Sequence, residues 1–405
     1  MRTDDAAQST DVDATPSVPS LIWRVPLLAW VTSRLVVVIA AIAGGRALGP
    51  PPVVYSGHVP RSLSLLGGWD SYWYMRIAYH GYQHSTAAIA TRHSDFAFFP
   101  LLPAIMRIGV YIPPGPVYWG IAAANLMFLV GLVAFHALTD EHGGRALANR
   151  ATWVLAFSPP AVYASLAYTD GILLGLAALA ALLAVRRKWV PAALLAAVAV
   201  LARPQGVFVT LLVIMIIVAG SAVPWRTRAI RAAVTAGLGL LPLVGFLAWL
   251  QAARGSWQLP FTAQRAWFRR TPGPAAVREF GQEVHDVVVF PFTGHVHTVR
   301  RIIQWTGPVR DLIAIIVLVA LVWALARYER SWRSVWVLFC VVAVAVPFVS
   351  GTFTSEARFG LLAFPLTWPV AAWLNRGGRL RVPIATAAAC AVMVALVLQL
   401  HYTYP

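Results

Sequence analysis

Runs of nearly unbroken apolar residues recur along the whole 405-residue chain. Most approach the roughly 20 residues that an α-helix needs to cross a bilayer. In hydrocarbon every backbone N–H and C=O must find a partner inside the protein, so only helices and closed barrels can span it. A barrel would show short segments alternating apolar with polar residues, and this chain has none. Only 12% of its residues are charged, against about 25% in a typical soluble domain. The expected fold is an all-α polytopic membrane protein.

Spans are expected at about 21–44, 116–139, 151–168, 169–186, 189–201, 205–222, 229–251, 309–327, 333–350, 358–374 and 382–400. That makes about 11, with 10–13 as the range two weak places allow. The 189–201 run rises only about 20 Å at 1.5 Å per residue, so it is tilted, re-entrant or extended through Arg203-Pro204. The run from Phe96 to Ile112 is interrupted by Pro100 and Pro103. It reads as an interfacial helix pair, because a span there would invert the charge pattern. With the N-terminus inside, the Arg-bearing loops at 145–150, 186–188, 226–231, 327–333 and 376–381 all fall on one side, as the positive-inside rule requires.

The same threading sorts the acids. Asp140, Glu141 and Glu329 fall inside, whereas Asp70, Asp95, Asp170, Glu279, Glu283, Asp286, Asp311 and Glu356 fall outside. Two long loops, about 45–115 and 252–308, lie on the outer side as well. Long loops and lone acids are where membrane proteins place function, so chemistry is expected at the outer leaflet. The net charge of +17 sits mostly in short loops, with no basic module, so nucleic acid is not an expected partner. Lys188 is the single lysine; this bias toward arginine points to a GC-rich bacterial genome and hence a plasma-membrane location. Cys340 and Cys390 lie in separate apolar runs and read as small buried hydrophobes. Residues 1–20, with Asp4, Asp5, Asp11 and Asp13, read as a disordered tail without a signal peptide's basic start. Residues 21–405 then form one integral membrane domain.

The stretch Gly67-Gly68-Trp69-Asp70-Ser71-Tyr72-Trp73-Tyr74 opens the first outer loop. A carboxylate among aromatics at a membrane edge is costly to keep ionised. Asp70 could cap a helix starting at Ser71, inside an ordinary aromatic belt. It could equally act as a general base, since a base needs to be held in position.

The run from Trp69 to Tyr74, with Ile77-Ala78 and Gly81-Tyr82, resembles the first-loop signature of the GPI mannosyltransferase II (PIG-V-type) family, multi-span glycosyltransferases of the GT-C group. Further similar motifs follow in order: Ala97 to Pro103; Ser158-Pro159 leading to Tyr168-Thr169-Asp170; and Ala202-Arg203-Pro204-Gln205-Gly206. Phe261, Gln264, Trp267 and Arg269 come next, then Ser355 to Phe359 with Phe364-Pro365. The resemblance covers most of the chain after residue 20. The connection from Tyr82 to Phe98 is longer than usual, and Asp170 stands where the family pattern has Glu.

The resemblance implies a GT-C-type helix bundle that moves mannose from a polyprenyl-phosphate-mannose donor to an outer-leaflet glycolipid or lipoglycan acceptor, with inversion. It assigns the base to Asp70 and makes Trp69 and Tyr74 walls of the donor site. Cations must balance the leaving phosphate, and Arg203, Arg269 and Arg358 are the candidates. Arg358 could instead pair with Glu356, itself a candidate substrate contact, or snorkel at a helix start. Asp170 could cap the next helix or bind sugar hydroxyls. Gln264 and Trp267 could bond and stack a sugar ring or merely stiffen their loop. His80, His84, His93 and Asp95, or His295 with His297, could approach a divalent ion. Surface histidines are the more economical reading, and no obligatory metal or other cofactor is expected. No Walker loop or dinucleotide fingerprint is present, and no Asp-x-Asp pair occurs beyond the N-terminal tail, which fits a sugar delivered on lipid. Two rivals remain open: a lipid-linked-sugar transporter without chemistry, and a GT-C transferase using another sugar or a protein acceptor.

Overall fold

A computed structural model describes residues 23–48, 63–268, 274–292, 299–349, 355–378 and 380–402. The N-terminal tail, Arg269, His295 and His297 lie outside the described residues, as do the side chains of Trp267 and Glu356. Among the described residues all regular structure is helical. The first half holds α1 (Arg24–Leu48), α2 (Asp70–His80), α3 (Leu101–Tyr111), α4 (Pro116–Gly143), α5 (Arg145–Ala156), α6 (Asp170–Val185), α7 (Trp189–Val200) and α8 (Val207–Ala219). The second half holds α9 (Trp225–Arg254), α10 (Leu259–Phe268), α11 (Pro274–Val289), α12 (Val299–Glu329), α13 (Val335–Val349), α14 (Glu356–Phe359), α15 (Thr367–Asn375) and α16 (Arg381–Gln399).

Five helices, α1, α4, α9, α12 and α16, are long and apolar enough to cross a membrane. The 3-10 segment Pro159–Ser165 and α6 make a sixth if their pair, bent by 107°, counts as one broken span. The chain is thus an all-helical membrane protein with several spans. Two expected spans are not continuous helices. Over 151–168, α5 stops at Ala156 and the backbone turns into 3-10 geometry at Pro159–Ser165. Consecutive prolines at 159 and 160 supply no N–H for a continuing α-ladder. Over 358–374, the one-turn α14 is followed by 3-10 turns at Gly360–Leu362 and Phe364–Leu366 before α15 begins. Pro365 removes a donor there too. The run from Phe96 to Ile112 forms one short helix, α3, after a 3-10 turn at Asp95–Ala97, rather than a helix pair. Pro100 precedes α3, and Pro103 sits in its first turn, where a missing N–H costs nothing.

Within lipid the hydrophobic effect does not drive helices together, so close backbone approach must do so. The most extensive helix pairing joins α4 to α6. Gly131 lies against Gly175, and Gly171 and Gly175 face the carbonyls of Ala124 and Met127. Around this pair, α1 contacts α4, α5 and α16, while α7 packs on α6, α8 and α9.

The break after α5 is held by an unusual residue. Arg34, in the middle of α1, is buried. Its guanidinium donates to the Ala161 carbonyl at 2.8 Å, to Ser165 Oγ at 2.6 Å and to the Ala156 carbonyl at 3.4 Å. Its carbon centre lies 4.5 Å from the Phe128 ring centroid. Among the described residues no carboxylate answers this charge. Carbonyls freed by the helix break answer it instead.

A Val at position 175 would drive a branched side chain into the Met127 backbone, so Gly175→Val should separate α4 from α6. A destabilisation of about 3 kcal/mol or more is expected, read as an earlier unfolding midpoint for the detergent-purified protein.

Candidate active site

Four segments far apart in sequence bring four charges together. Asp70 opens α2, Asp170 opens α6, Arg203 lies just after α7, and Arg358 sits on α14. Arg358 Nη1 donates to Asp70 Oδ2 at 2.6 Å, and Arg358 Nε reaches both Asp170 oxygens at 3.1 and 2.9 Å. Arg203 Nη1 donates to Asp170 Oδ1 at 2.6 Å and its Nε to Gln205 Oε1 at 3.0 Å. Two carboxylates face two guanidiniums, so the group is neutral overall. That balance is what allows it to sit away from water.

Neither aspartate caps its helix. α2 and α6 begin at Asp70 and Asp170, but neither start shows a side-chain cap. The carboxylates turn to arginine because a charge-assisted bond is stronger than a bond to a neutral N–H. Arg358 is buried rather than snorkelling, and its carboxylate partners among the described residues lie 188 and 288 residues away.

The Asp70 loop is strapped down by backbone bonds. Ala167 N–H donates to the Leu66 carbonyl at 3.1 Å. Ser71 Oγ donates to the Ala167 carbonyl, and Asp70 N–H donates to Tyr168 Oη at 3.2 Å. Trp69 holds a left-handed φ of 54°, strained for a residue with a side chain. Its indole N–H donates to the Leu400 carbonyl at 2.6 Å, pinning the loop to the end of α16.

The aromatics around the charges are specific. The Arg358 guanidinium lies 4.7 Å from the Tyr168 ring and that of Arg203 lies 4.8 Å from the Phe359 ring, a favourable placement of cations on π faces. Tyr74 is buried edge-on to Phe98, ring centres 5.0 Å apart. Burial pushes its phenol up to about 12, with the Asp70 carboxylate adding to the rise, so it stays protonated.

Of the residues expected from sequence, Asp70, Tyr74, Asp170, Arg203 and Arg358 come together. Trp69 points to α16. Gln264 donates to the Ala97 carbonyl at 3.1 Å, joining α10 to the first loop rather than to the charges. Tyr168, Gln205 and Phe359 are additions. All three lie within the motifs that resemble the family's, but none carried a role in the sequence reading. Asp140 pairs with Arg145, Glu141 with Arg186 and Glu329 with His142, so the three acids threaded to the inner side share one end of the bundle.

The histidines do not converge on Asp95. His80, His84 and His93 are exposed, whereas Asp95 is fully buried. Among the described residues no group of three His, Cys, Asp or Glu side chains could hold a metal ion. Asp95 Oδ2 accepts from Gln83 N–H at 2.9 Å, and Oδ1 has no hydrogen-bond partner among the described residues. No protein-family model matches this sequence, and neither does any curated protein.

Two measurements follow from these charges. Asp170→Ala leaves Arg203 without a carboxylate and Arg358 with Asp70 alone, a loss of about 3–5 kcal/mol. Asp70→Ala leaves Arg358 still held by Asp170, and the Asp70 side chain is 21% exposed, so about 1 kcal/mol is expected. Chemical unfolding in mixed micelles ranks the two; equal losses would contradict the geometry. The second concerns Asp95, whose carboxyl is pushed above its ordinary value of 3.8 by burial. Its native state holds the proton more tightly than the unfolded chain, so its contribution falls as pH rises from that value through the raised one. Asp95→Asn keeps the acceptor for Gln83 and should stabilise the protein at pH 7. That gain should vanish below about pH 4, as a pH series of melting curves would reveal.

Proposed function

We propose that the chain is a GT-C glycosyltransferase with a bundle of about 11 spans. It transfers mannose from polyprenyl-phosphate-mannose to a glycolipid or lipoglycan acceptor at the outer face of a bacterial plasma membrane, inverting the anomeric centre. The observation that carries this reading is the Asp70–Arg358–Asp170–Arg203 group, a carboxylate with one oxygen at the edge of a two-arginine site. The motif resemblance runs through all four residues.

In this reaction the acceptor oxygen bonds to the anomeric carbon, its proton passes to an Asp70 oxygen, and the bond from that carbon to phosphate oxygen breaks. Polyprenyl phosphate leaves, and Arg358 and Arg203 carry its added charge. Among the described residues Arg358 is the hydrogen-bond partner of the Asp70 side chain, on Oδ2. An arriving phosphodiester competes for that guanidinium. When Arg358 turns to phosphate, Asp70 is released to accept a proton, while Asp170 keeps both arginines close. Tyr168 supports this exchange, because its ring faces Arg358 and its hydroxyl meets the Asp70 backbone.

Asp70→Asn retains an oxygen for Arg358 but cannot take the proton. With labelled polyprenyl-phosphate-mannose and an extract of membrane lipids, transfer should fall about 10²–10⁴-fold, with folding and elution unchanged. Mass spectrometry of the wild-type product names acceptor and linkage. Wild-type-like transfer by the variant would sink the assignment and leave the charge group a purely structural tie.

A further inference from the structure

Arg358 stands on α14, a helix of a single turn. Such a helix holds itself poorly, because its first N–H groups have no partner inside it. A side chain from another element supplies one. Asp311, on α12, accepts from the Ser355 N–H through Oδ2 at 3.0 Å, and the Ala357 N–H also donates to that carboxylate. Asp311 and Ser355 are both buried. Ser355 holds a left-handed φ of 68°, a costly conformation for a residue with a side chain unless its surroundings impose it. The bond from Asp311 helps to impose it.

Asp311 is itself held from behind. Arg310 grips it twice, through Nε to Oδ1 at 3.2 Å and through Nη2 to Oδ2 at 3.1 Å. Arg310 Nη1 donates to Gln399 Oε1 at 3.4 Å, and Gln399 Nε2 donates to Thr306 Oγ1 at 2.8 Å. Gln399 is the last residue of α16. The next carbonyl, that of Leu400, receives the Trp69 indole beside Asp70. These contacts close a ring that runs from Asp70 to Arg358, along the α14 backbone to Asp311 and Arg310, and through the end of α16 to Trp69. Asp70 and Arg358 are thus joined twice, once directly and once through α12 and α16.

The two routes hold different things. The direct one joins side chain to side chain. The route through Asp311 ends on backbone N–H groups, so it persists when the Arg358 side chain lets go of Asp70. A guanidinium that changes partners needs a fixed pivot, since a small misplacement in a positioned site is costly. An ordinary helix cap would account for the bond to Ser355 alone. It would not account for a buried two-bond pair, tied to the helix end that also pins the Asp70 loop, acting on a helix of one turn.

We propose that Asp311 is a positioning residue for Arg358. It fixes the α14 backbone, so the guanidinium can pass from Asp70 to a phosphate about an unmoving point. The phosphate step rests on the glycosyltransferase reading; the placement of Arg358 against Asp70 does not.

Full-length protein serves two tests, and the first needs no substrate. Asp70→Ala should shift the unfolding equilibrium in mixed micelles about fivefold in the wild type. In an Asp311→Asn background the same change should shift it less than about twofold, because Arg358 is no longer held against Asp70. An equal cost in both backgrounds would overturn the inference. The second test measures transfer from labelled polyprenyl-phosphate-mannose. Asp311→Asn should raise the donor KM about tenfold and leave the acceptor KM unchanged. Thr139→Val, which removes the acceptor of the Trp368 indole beside Asp140, is a structural loss and should change neither. An unchanged donor KM in folded Asp311→Asn would overturn the inference. Should that variant not fold, Arg310→Lys keeps a cation behind Asp311 but loses the two-bond fork, and the donor KM should still rise about threefold; an unchanged value there would overturn it equally. Coupled unfolding without transfer by the wild type would defeat the proposed reaction and leave Asp311 placing Arg358. Transfer with uncoupled unfolding would defeat this inference alone.

Discussion

Everything at the four-charge end of this bundle hangs on one carboxylate. Asp170 is shared by Arg203 and Arg358, and Arg358 in turn reaches Asp70. Each residue sits where the helix pattern fails: at the start of a helix after a 107° bend, beside Arg-Pro, on a one-turn helix, and after a left-handed Trp69. Irregular backbone inside a membrane protein survives only where its polar groups are answered. Here the charges join four such places to one another. Buried ion pairs add little net stability over apolar packing, yet breaking one strands a charge. The network therefore specifies one arrangement of loops more than it strengthens the fold.

The same logic extends to Arg34. A lone guanidinium in a spanning helix is expensive, and its partners are the carbonyls of Ala156 and Ala161 and the hydroxyl of Ser165. The Ala156 carbonyl is an acceptor because α5 ends there without further intrahelical donors, and the 3-10 segment that follows supplies the Ala161 carbonyl and the Ser165 hydroxyl. Helix C-termini carry partial negative charge, so the break supplies the counter-charge and the arginine stabilises the break. Three residues beyond Ser165 comes Tyr168, which contacts both Asp70 and Arg358. The bend is thus set by α1 and used by the charge group.

Much of this was legible in the chain, for a physical reason. Charge is costly in an apolar sequence, so Asp70, Asp170, Arg203 and Arg358 stand out. The positive-inside pattern sorted Asp140, Glu141 and Glu329 together, and their loops do meet. Hydropathy is blind to what breaks a helix without changing its polarity. Residues 151–168 and 358–374 read as spans because 3-10 turns are as apolar as the helices they replace. Capping expectations at Asp70 and Asp170 identified where helices begin and missed where the side chains go. Local rules see only near neighbours, and the decisive partner, Arg358, lies 288 residues from Asp70. Tyr168 stood in a motif without a role for the opposite reason: an aromatic in a membrane protein has an ordinary explanation, and only its three-dimensional neighbours distinguish it.

Space and charge are separated in this molecule. The charge group encloses about 10 Å³, while a groove lined by Ala357 and Gly360 offers about 1320 Å³. In the proposed reaction the donor's phosphate competes with both aspartates for Arg358. The competition is unequal by construction. Asp170 holds Arg358 through Nε on both oxygens and is nearly buried, whereas Asp70 holds one Nη1 at a partly exposed edge. Of the two contacts, the one to Asp70 yields first. In the proposed reaction, loss of that contact frees a carboxylate as a phosphate is neutralised, so the base stays masked until a donor is in place.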